Sequence, residues 1–101
     1  MDRQRTRHIA VPHEQRERAA VDAYMQAAHS RTWQIASEAA LLSSHVVGGK
    51  LARPAEARLW AEHAAISIAL AGDPLGLDEA QRANTLGVIA SAAGEFERAK
   101  D

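Results

Sequence analysis

The sequence predicts an all-α protein, built as a single antiparallel bundle of three to four helices. Residues 13–47 contain neither proline nor glycine and are rich in alanine, leucine, glutamate, glutamine and arginine, which are good helix formers. Apolar residues recur with the spacing of helices, and no segment shows the alternation of a strand. The chain has 101 residues, which is enough for one domain.

The first predicted helix is long and runs from about residue 13 to residue 47. Pro12 suits its first turn, and Gly48 and Gly49 end it, with one glycine available for a left-handed cap. An unbroken helix of this length spans roughly 52 Å, which is more than a domain of this size can cover. Either the helix breaks near residue 30, where helix propensity is weakest, or another chain covers the excess. We favour the unbroken helix, because the break would contain neither glycine nor proline.

Two shorter helices are predicted to follow. The second spans about residues 54–71 and ends before the Gly-Asp-Pro sequence at residues 72–74. The third begins after Asp78, a good N-cap residue, and continues to about residue 93 or residue 98. Residues 12–101 therefore form one predicted helical domain.

Apolar stripes on these helices are expected to face one another in the bundle. The stripe of the second helix consists of Leu59, His63, Ile66 and Leu70. The first helix carries a seven-residue repeat and, beside it, a second stripe formed by Trp33, Ala40 and Val47. Alanine accounts for 23 of the 47 apolar residues, and it permits close helix approach but adds little burial.

Composition and helix length together predict a homodimer or a higher oligomer. Only 24 apolar residues are larger than alanine, which is a thin supply for one core. The second stripe of the first helix would face another copy, so we expect the interface at Trp33, Ala40 and Val47, with Trp33 as its anchor. The competing outcome is a break near residue 30 that produces a self-contained four-helix monomer.

Several classes of function are disfavoured by composition. The absence of cysteine excludes disulfides and thiolate chemistry, and a net charge of −1 argues against a strongly basic nucleic-acid binder. No two of the five histidines lie three or four residues apart, so we expect neither a metal nor a cofactor. No segment is apolar enough for a membrane span and no secretory signal is evident, so the expected location is cytoplasmic.

The function that fits these observations is that of a non-enzymatic helical interaction module, or a small regulatory or structural subunit. It would act through self-association or through a partner helix. Catalysis is the less favoured interpretation, because no serine-nucleophile motif and no glycine-rich phosphate loop occurs in the sequence.

A nucleic-acid-associated regulator is the alternative. Residues 1–11 are predicted to form a flexible basic arm, whose alternating arginines would contact phosphates: Arg3, Arg5 and Arg7. Residues 83–88 resemble the middle of a helix-turn-helix, here within a degenerate segment at residues 79–98. Residues 72–101 hold six acids and three bases, so the local charge opposes DNA.

A third function follows from a short resemblance. The sequence Arg58-Leu59-Trp60-Ala61-Glu62-His63 resembles the signature of HEPN-type helical ribonucleases, in which the arginine and the histidine meet at a dimer interface. The resemblance implies that Arg58 stabilises phosphate charge and that His63 transfers a proton. The structural alternative is an ion pair between Arg58 and Glu62, with His63 at the edge of an apolar face.

Overall fold

Four α-helices make up the part of the chain that the computed structural model describes, which is residues 12–100. They are α1 (His13–His29), α2 (Trp33–His45), α3 (Pro54–Ala71) and α4 (Leu77–Lys100). Of the described residues, 86% are helical, and none lies in a strand. The predicted all-α helical bundle is therefore confirmed. The predicted arm at residues 1–11 lies outside the described residues.

The first predicted helix is broken near residue 30, so the unbroken helix that we favoured is wrong and the alternative is correct. Between α1 and α2, Arg31 adopts the left-handed conformation with φ 61°. The Thr32 N–H donates to the carbonyl oxygen of Ala27 at 2.8 Å, and the Ser30 hydroxyl donates to that of Gln26 at 3.0 Å. These local hydrogen bonds satisfy the polar groups at the helix end, so the chain turns without glycine or proline.

A π-helical turn, Val46–Lys50, continues α2. Gly48 lies where this turn meets α3 and α4, and a Cβ atom there would lie 2.7 Å from Ala57 Cβ and 2.7 Å from Ile89 Cγ1. Only glycine therefore allows this approach. The sequence predicted that Gly48 or Gly49 would adopt the left-handed conformation at this helix end. The residue that adopts it is instead Ala52, with φ 56°.

The helices form an open layer with α2 and α3 at its centre. Core contacts join Ala40 to Ala64 and Val47 to Ala57, so α2 and α3 run antiparallel. α1 packs on α2, and α4 packs mainly on α3, while α1 and α4 do not pack on each other within the described residues. The extents are 48 × 42 × 21 Å, and the radius of gyration is 15.3 Å, against about 13 Å for a compact domain of this length.

The core between α2 and α3 consists mainly of small residues. Buried side chains on α2 and the π turn face buried side chains on α3: Ala36, Ala40, Ser43, Ser44 and Val47 on one side, Ala57, Ala61, Ala64, Ser67 and Ile68 on the other. The Ser44 hydroxyl donates to the carbonyl oxygen of Ala57 at 2.8 Å, which ties the two helices together. Small side chains allow a short distance between the helix axes.

Because of this packing, α3 turns its alanine-rich face inward and its aliphatic face outward. Leu59, Ile66 and Leu70 are 63%, 57% and 55% exposed, whereas Ala57 and Ala64 on the opposite side are completely buried. The expectation that this aliphatic stripe faces the other helices of the bundle is therefore wrong. Among the described residues, no helix is both long and apolar enough to cross a membrane.

Candidate interaction surface

The outward face of α3 carries a regular row of three aliphatic side chains and one histidine, which we call the α3 stripe: Leu59, His63, Ile66 and Leu70. All four residues are exposed, and they are separated by four, three and four positions. On a helix of 3.6 residues per turn they lie within an arc of about 60° and extend over roughly 16 Å. This is the spacing of the seam along which two helices pack in a coiled coil.

Three aromatic rings form one edge of the α3 stripe. Tyr24 of α1 meets Trp60 edge to face at a centroid distance of 5.3 Å, and His63 lies 5.2 Å from Trp60 and 5.5 Å from Tyr24. The Tyr24 hydroxyl and His63 Nδ1 are 3.4 Å apart, and either atom can be the donor. Trp60 is half-buried and packs against two separate clusters of buried residues. His63 is thereby held against its own chain.

Charge is distributed unevenly along α3. Glu56, Arg58 and Glu62 all lie in its first half, and residues 64–71 contain no charged side chain. At the start of the helix, Arg53 Nη2 donates to Glu17 Oε1 at 2.6 Å and Nη1 donates to Glu56 Oε1 at 3.1 Å. The hydrogen bond to Glu17 raises the pKa of Arg53 above its ordinary value. From residue 64 to the end of α3, the neighbours of Ile66 and Leu70 on this helix are therefore uncharged.

A second apolar surface lies between α1 and α2. It is a groove of about 530 Å³ with an alanine-rich wall, and the exposed residues Ile35 and Leu42 form its other side. A recess of about 260 Å³ adjoins the groove and shares Ala23 and Ile35 with it. Two helix faces of this chain thus present apolar side chains to the exterior.

The stripe predicted as an interface lies mostly inside the protein. Ala40 and Val47 have no exposed surface and belong to the two core clusters of the chain itself. Trp33, at the first position of α2, is half-buried. The packing of α3 and α4 explains the difference, because Ala40 clusters with Ala64 of α3, and Val47 clusters with Ala57 of α3 and Ile89 of α4. The prediction that Ala40 and Val47 form an interface is therefore wrong, because neither residue has surface that a partner could contact.

Arg58 and His63 are both exposed on α3, but they do not converge within one chain. Five positions on a helix separate two side chains by about 140° around the axis. Within the described residues Arg58 forms no ion pair, including the one expected with Glu62. The described residues also contain no group of three or more side chains able to hold a metal ion.

The segment predicted to resemble a helix-turn-helix contains no turn. Residues 79–98 lie within the single helix α4. Gly87 is an exposed residue of that helix, and a Cβ atom added to it would have open space around it for 4 Å. This correction removes the recognition helix from the nucleic-acid alternative. The other part of that alternative, Arg3, Arg5 and Arg7, lies outside the described residues.

Sequence reasoning found the residues of the α3 stripe but placed them on the wrong side. The signal for the outward orientation was present in the second row on the same helix, formed by Ala57, Ala61, Ala64 and Ile68. This row has the same spacing of four, three and four, so either row can face a neighbouring helix. Size favours the leucines for burial, whereas the structure buries the alanines.

Comparison of the chain with protein-family models, with curated proteins and with solved structures finds no match in any of the three. Its own surfaces are therefore the basis for assigning a function.

Proposed function

We propose that the chain is a non-enzymatic helical interaction module that acts by self-association. The observation that carries the proposal is the inverted placement of large and small apolar residues. In the described residues nine large apolar side chains are exposed, whereas only five that are larger than alanine are buried. Burying a leucine or isoleucine contributes about 1.5–3 kcal/mol, much more than burying an alanine. Association would bury side chains that remain exposed to solvent in the single folded chain.

The exposed residues are arranged on surfaces, which supports this proposal. The α3 stripe is a continuous row at coiled-coil spacing, and the groove between α1 and α2 has a second row, Ile35 and Leu42. Contiguous apolar patches on soluble proteins mark sites of interaction, whereas scattered single residues do not. The surface is also suited to association more than to catalysis, because three of the four side chains in the α3 stripe are aliphatic.

The charges of α3 favour a protein partner over a lipid surface. Helices that lie on membranes carry lysine and arginine along their polar face. α3 has two glutamates and a single arginine, and it contains no lysine. A helix with more acidic than basic residues is not attracted to anionic lipid headgroups, whereas its apolar face can pack against an apolar face of another helix.

The molar mass in solution tests the proposal. Light scattering at micromolar concentration is expected to give about twice the chain mass of 10.9 kDa or a higher multiple. Dilution should reduce the measured mass towards that of one chain, because the association is an equilibrium. A mass near 10.9 kDa that does not change between micromolar and millimolar concentration would contradict self-association.

A further inference from the structure

We propose that the α3 stripe binds the α3 stripe of a second copy of this chain, with the two helices antiparallel. The two-fold axis passes between His63 and Ile66. This inference rests on the self-association proposed above, and it adds the surface, the partner and the orientation.

The order of side chains along the stripe fits a two-fold axis at this position. In the antiparallel pair, Leu59 lies opposite Leu70 of the second copy, and His63 lies opposite Ile66 of the second copy. Four layers result, and each contains at least one large aliphatic side chain. Such a surface is complementary to itself, as an interface with two-fold symmetry requires.

The surroundings of His63 favour the antiparallel over the parallel orientation. A parallel pair would bring His63 against His63 of the second copy, an arrangement suited to polar side chains that bond each other across the seam. In this structure His63 Nδ1 lies 3.4 Å from the Tyr24 hydroxyl, and the ring packs at tilts of 53° and 50° against Tyr24 and Trp60. Nδ1 is therefore engaged within the chain, and in the antiparallel pair the ring carbons of His63 have Ile66 of the second copy as an aliphatic neighbour.

The charge of Glu62 is compatible with the same orientation. In the antiparallel pair Glu62 lies at the level of the uncharged residue Ser67 of the second copy, whereas Glu56 lies at the level of Asp73. The antiparallel arrangement also places the partially positive end of each helix near the partially negative end of the other.

The chain's own ends are poor candidates to cover the α3 stripe. Residues 1–11 contain three large apolar side chains, Met1, Ile9 and Val11, among four charged ones. A cover for four successive layers needs an apolar residue at every third or fourth position, which this segment does not have. A second α3 has that pattern.

Cysteine crosslinking tests the pairing directly, because the natural chain contains no cysteine. The variants are Leu59→Cys and Leu70→Cys, with Val88→Cys on α4 as a matched control at another exposed aliphatic residue. A disulfide requires Cα atoms within about 7 Å. In the antiparallel pair, equivalent residues at position 59 or at position 70 are about 16 Å apart along the axis, whereas positions 59 and 70 of different copies are adjacent.

The expected result is a crosslink that needs both variants. When Leu59→Cys and Leu70→Cys are mixed under reducing conditions, allowed to exchange and then oxidised, the crosslinked dimer should be several times more abundant than with either variant alone. Mixing Val88→Cys with either stripe variant should not increase the amount of crosslinked dimer. Light scattering of the reduced variants shows whether they still associate. If a variant at position 59 or 70 remains fully helical but is monomeric, the substituted residue belongs to the interface, which supports the α3 stripe as the contact surface.

Other outcomes separate this inference from the proposed function. If each stripe variant crosslinks with itself and mixing adds nothing, the helices are parallel and the inference is wrong, while self-association stands. If the reduced variants are dimeric but no stripe cysteine crosslinks, the interface lies elsewhere, for example at the groove between α1 and α2. A monomeric mass for the unaltered chain overturns both.

Discussion

Gly48 shows how a single residue determines the distance between three elements. Its hydrogen occupies the place where a methyl group would lie 2.7 Å from Ala57 and from Ile89, both of which are buried. The π turn therefore contacts α3 and α4 through its backbone. The neighbouring residue Gly49 has no atom within 4 Å of the same position.

This difference predicts opposite effects for two alanine substitutions. Gly48→Ala should lower the free energy of unfolding by roughly 1–3 kcal/mol, the usual cost of overpacking a core. Gly49→Ala should leave it unchanged or raise it by up to about 1 kcal/mol, because alanine restricts the unfolded chain and nothing obstructs it in the folded one. Urea denaturation of both variants measures these values. Equal stability of the two variants would show that Gly48 is not a packing constraint.

Among the helices, α4 is attached through the buried residue Ile89 and also through one partly buried arginine. Arg82 donates from Nε and Nη2 to the Glu79 carboxylate, at 2.9 Å in each case, and its Nη1 lies 3.5 Å from the carbonyl oxygen of Ala61 on α3. The hydrogen bonds from Arg82 lower the pKa of Glu79 below its ordinary value of 4.5. Arg82 thus connects the first turns of α4 to the middle of α3.

The lowered pKa of Glu79 predicts how the contribution of Arg82 changes with pH. A carboxyl group whose pKa is lower in the folded state stabilises the fold above its unfolded pKa, and that contribution disappears as the pH falls through the folded value. Arg82→Ala should therefore be less stable than the unaltered chain at pH 7, and the gap should narrow at pH 3. Arg82→Lys, which keeps the charge, is the matched control. Urea denaturation measures the free energy of unfolding at both pH values. An equal difference between Arg82→Ala and the unaltered chain at pH 7 and pH 3 would contradict this explanation.

The break between α1 and α2 determines how the first half of the chain packs. Ser30 and Thr32 are residues whose hydroxyl groups compete with helical hydrogen bonds, and their hydroxyl oxygens lie 3.0 Å apart in the turn. The break lets α1 fold back along α2, where Ala20 and Ala27 become buried. An unbroken helix would leave that half of the chain without a neighbour.

For the whole molecule, the outward orientation of the α3 stripe predicts that association depends on Ile66. Ile66→Asn should convert the associated protein into a monomer without loss of helix, because Ile66 is exposed in the single chain and contributes little to its core. Val88→Asn, which changes an exposed aliphatic residue on α4, should leave the mass unchanged. Light scattering gives the mass and circular dichroism gives the helix content. An Ile66→Asn variant with the mass of the unaltered protein would exclude the α3 stripe as the interface.

The open arrangement of the helices explains why a small chain can leave so much apolar surface uncovered. α2 has three neighbouring helices, whereas α1 and α4 lie at opposite sides of the layer. The layer is 21 Å thick, so each outer helix has one face toward the core and one toward the exterior. A second copy is the covering layer that we propose for this fold.

The fold class and the bounds of α3 could be predicted from the sequence alone. Proline at position 54 begins α3, Gly72 follows its end, and the helix-forming composition excludes strands between them. These signals are local, because they depend on backbone conformations and hydrogen bonds within a few residues of the chain. For the same reason they could be interpreted without knowledge of the neighbouring helices.

Which face of each helix is buried became apparent only from the packing of the helices. On α3 the rows that begin at Ala57 and at Leu59 have the same period, so the sequence pattern predicts both equally well. The choice depends on the partner: small residues on α2 and the Ser44 hydrogen bond to Ala57 favour the closer approach that alanine allows. Ala40 and Val47 became core because the alanine-rich face of α3 packs against both, and Ile89 of α4 also packs against Val47. Burial is a property of two surfaces in contact, and a single helix does not contain that information.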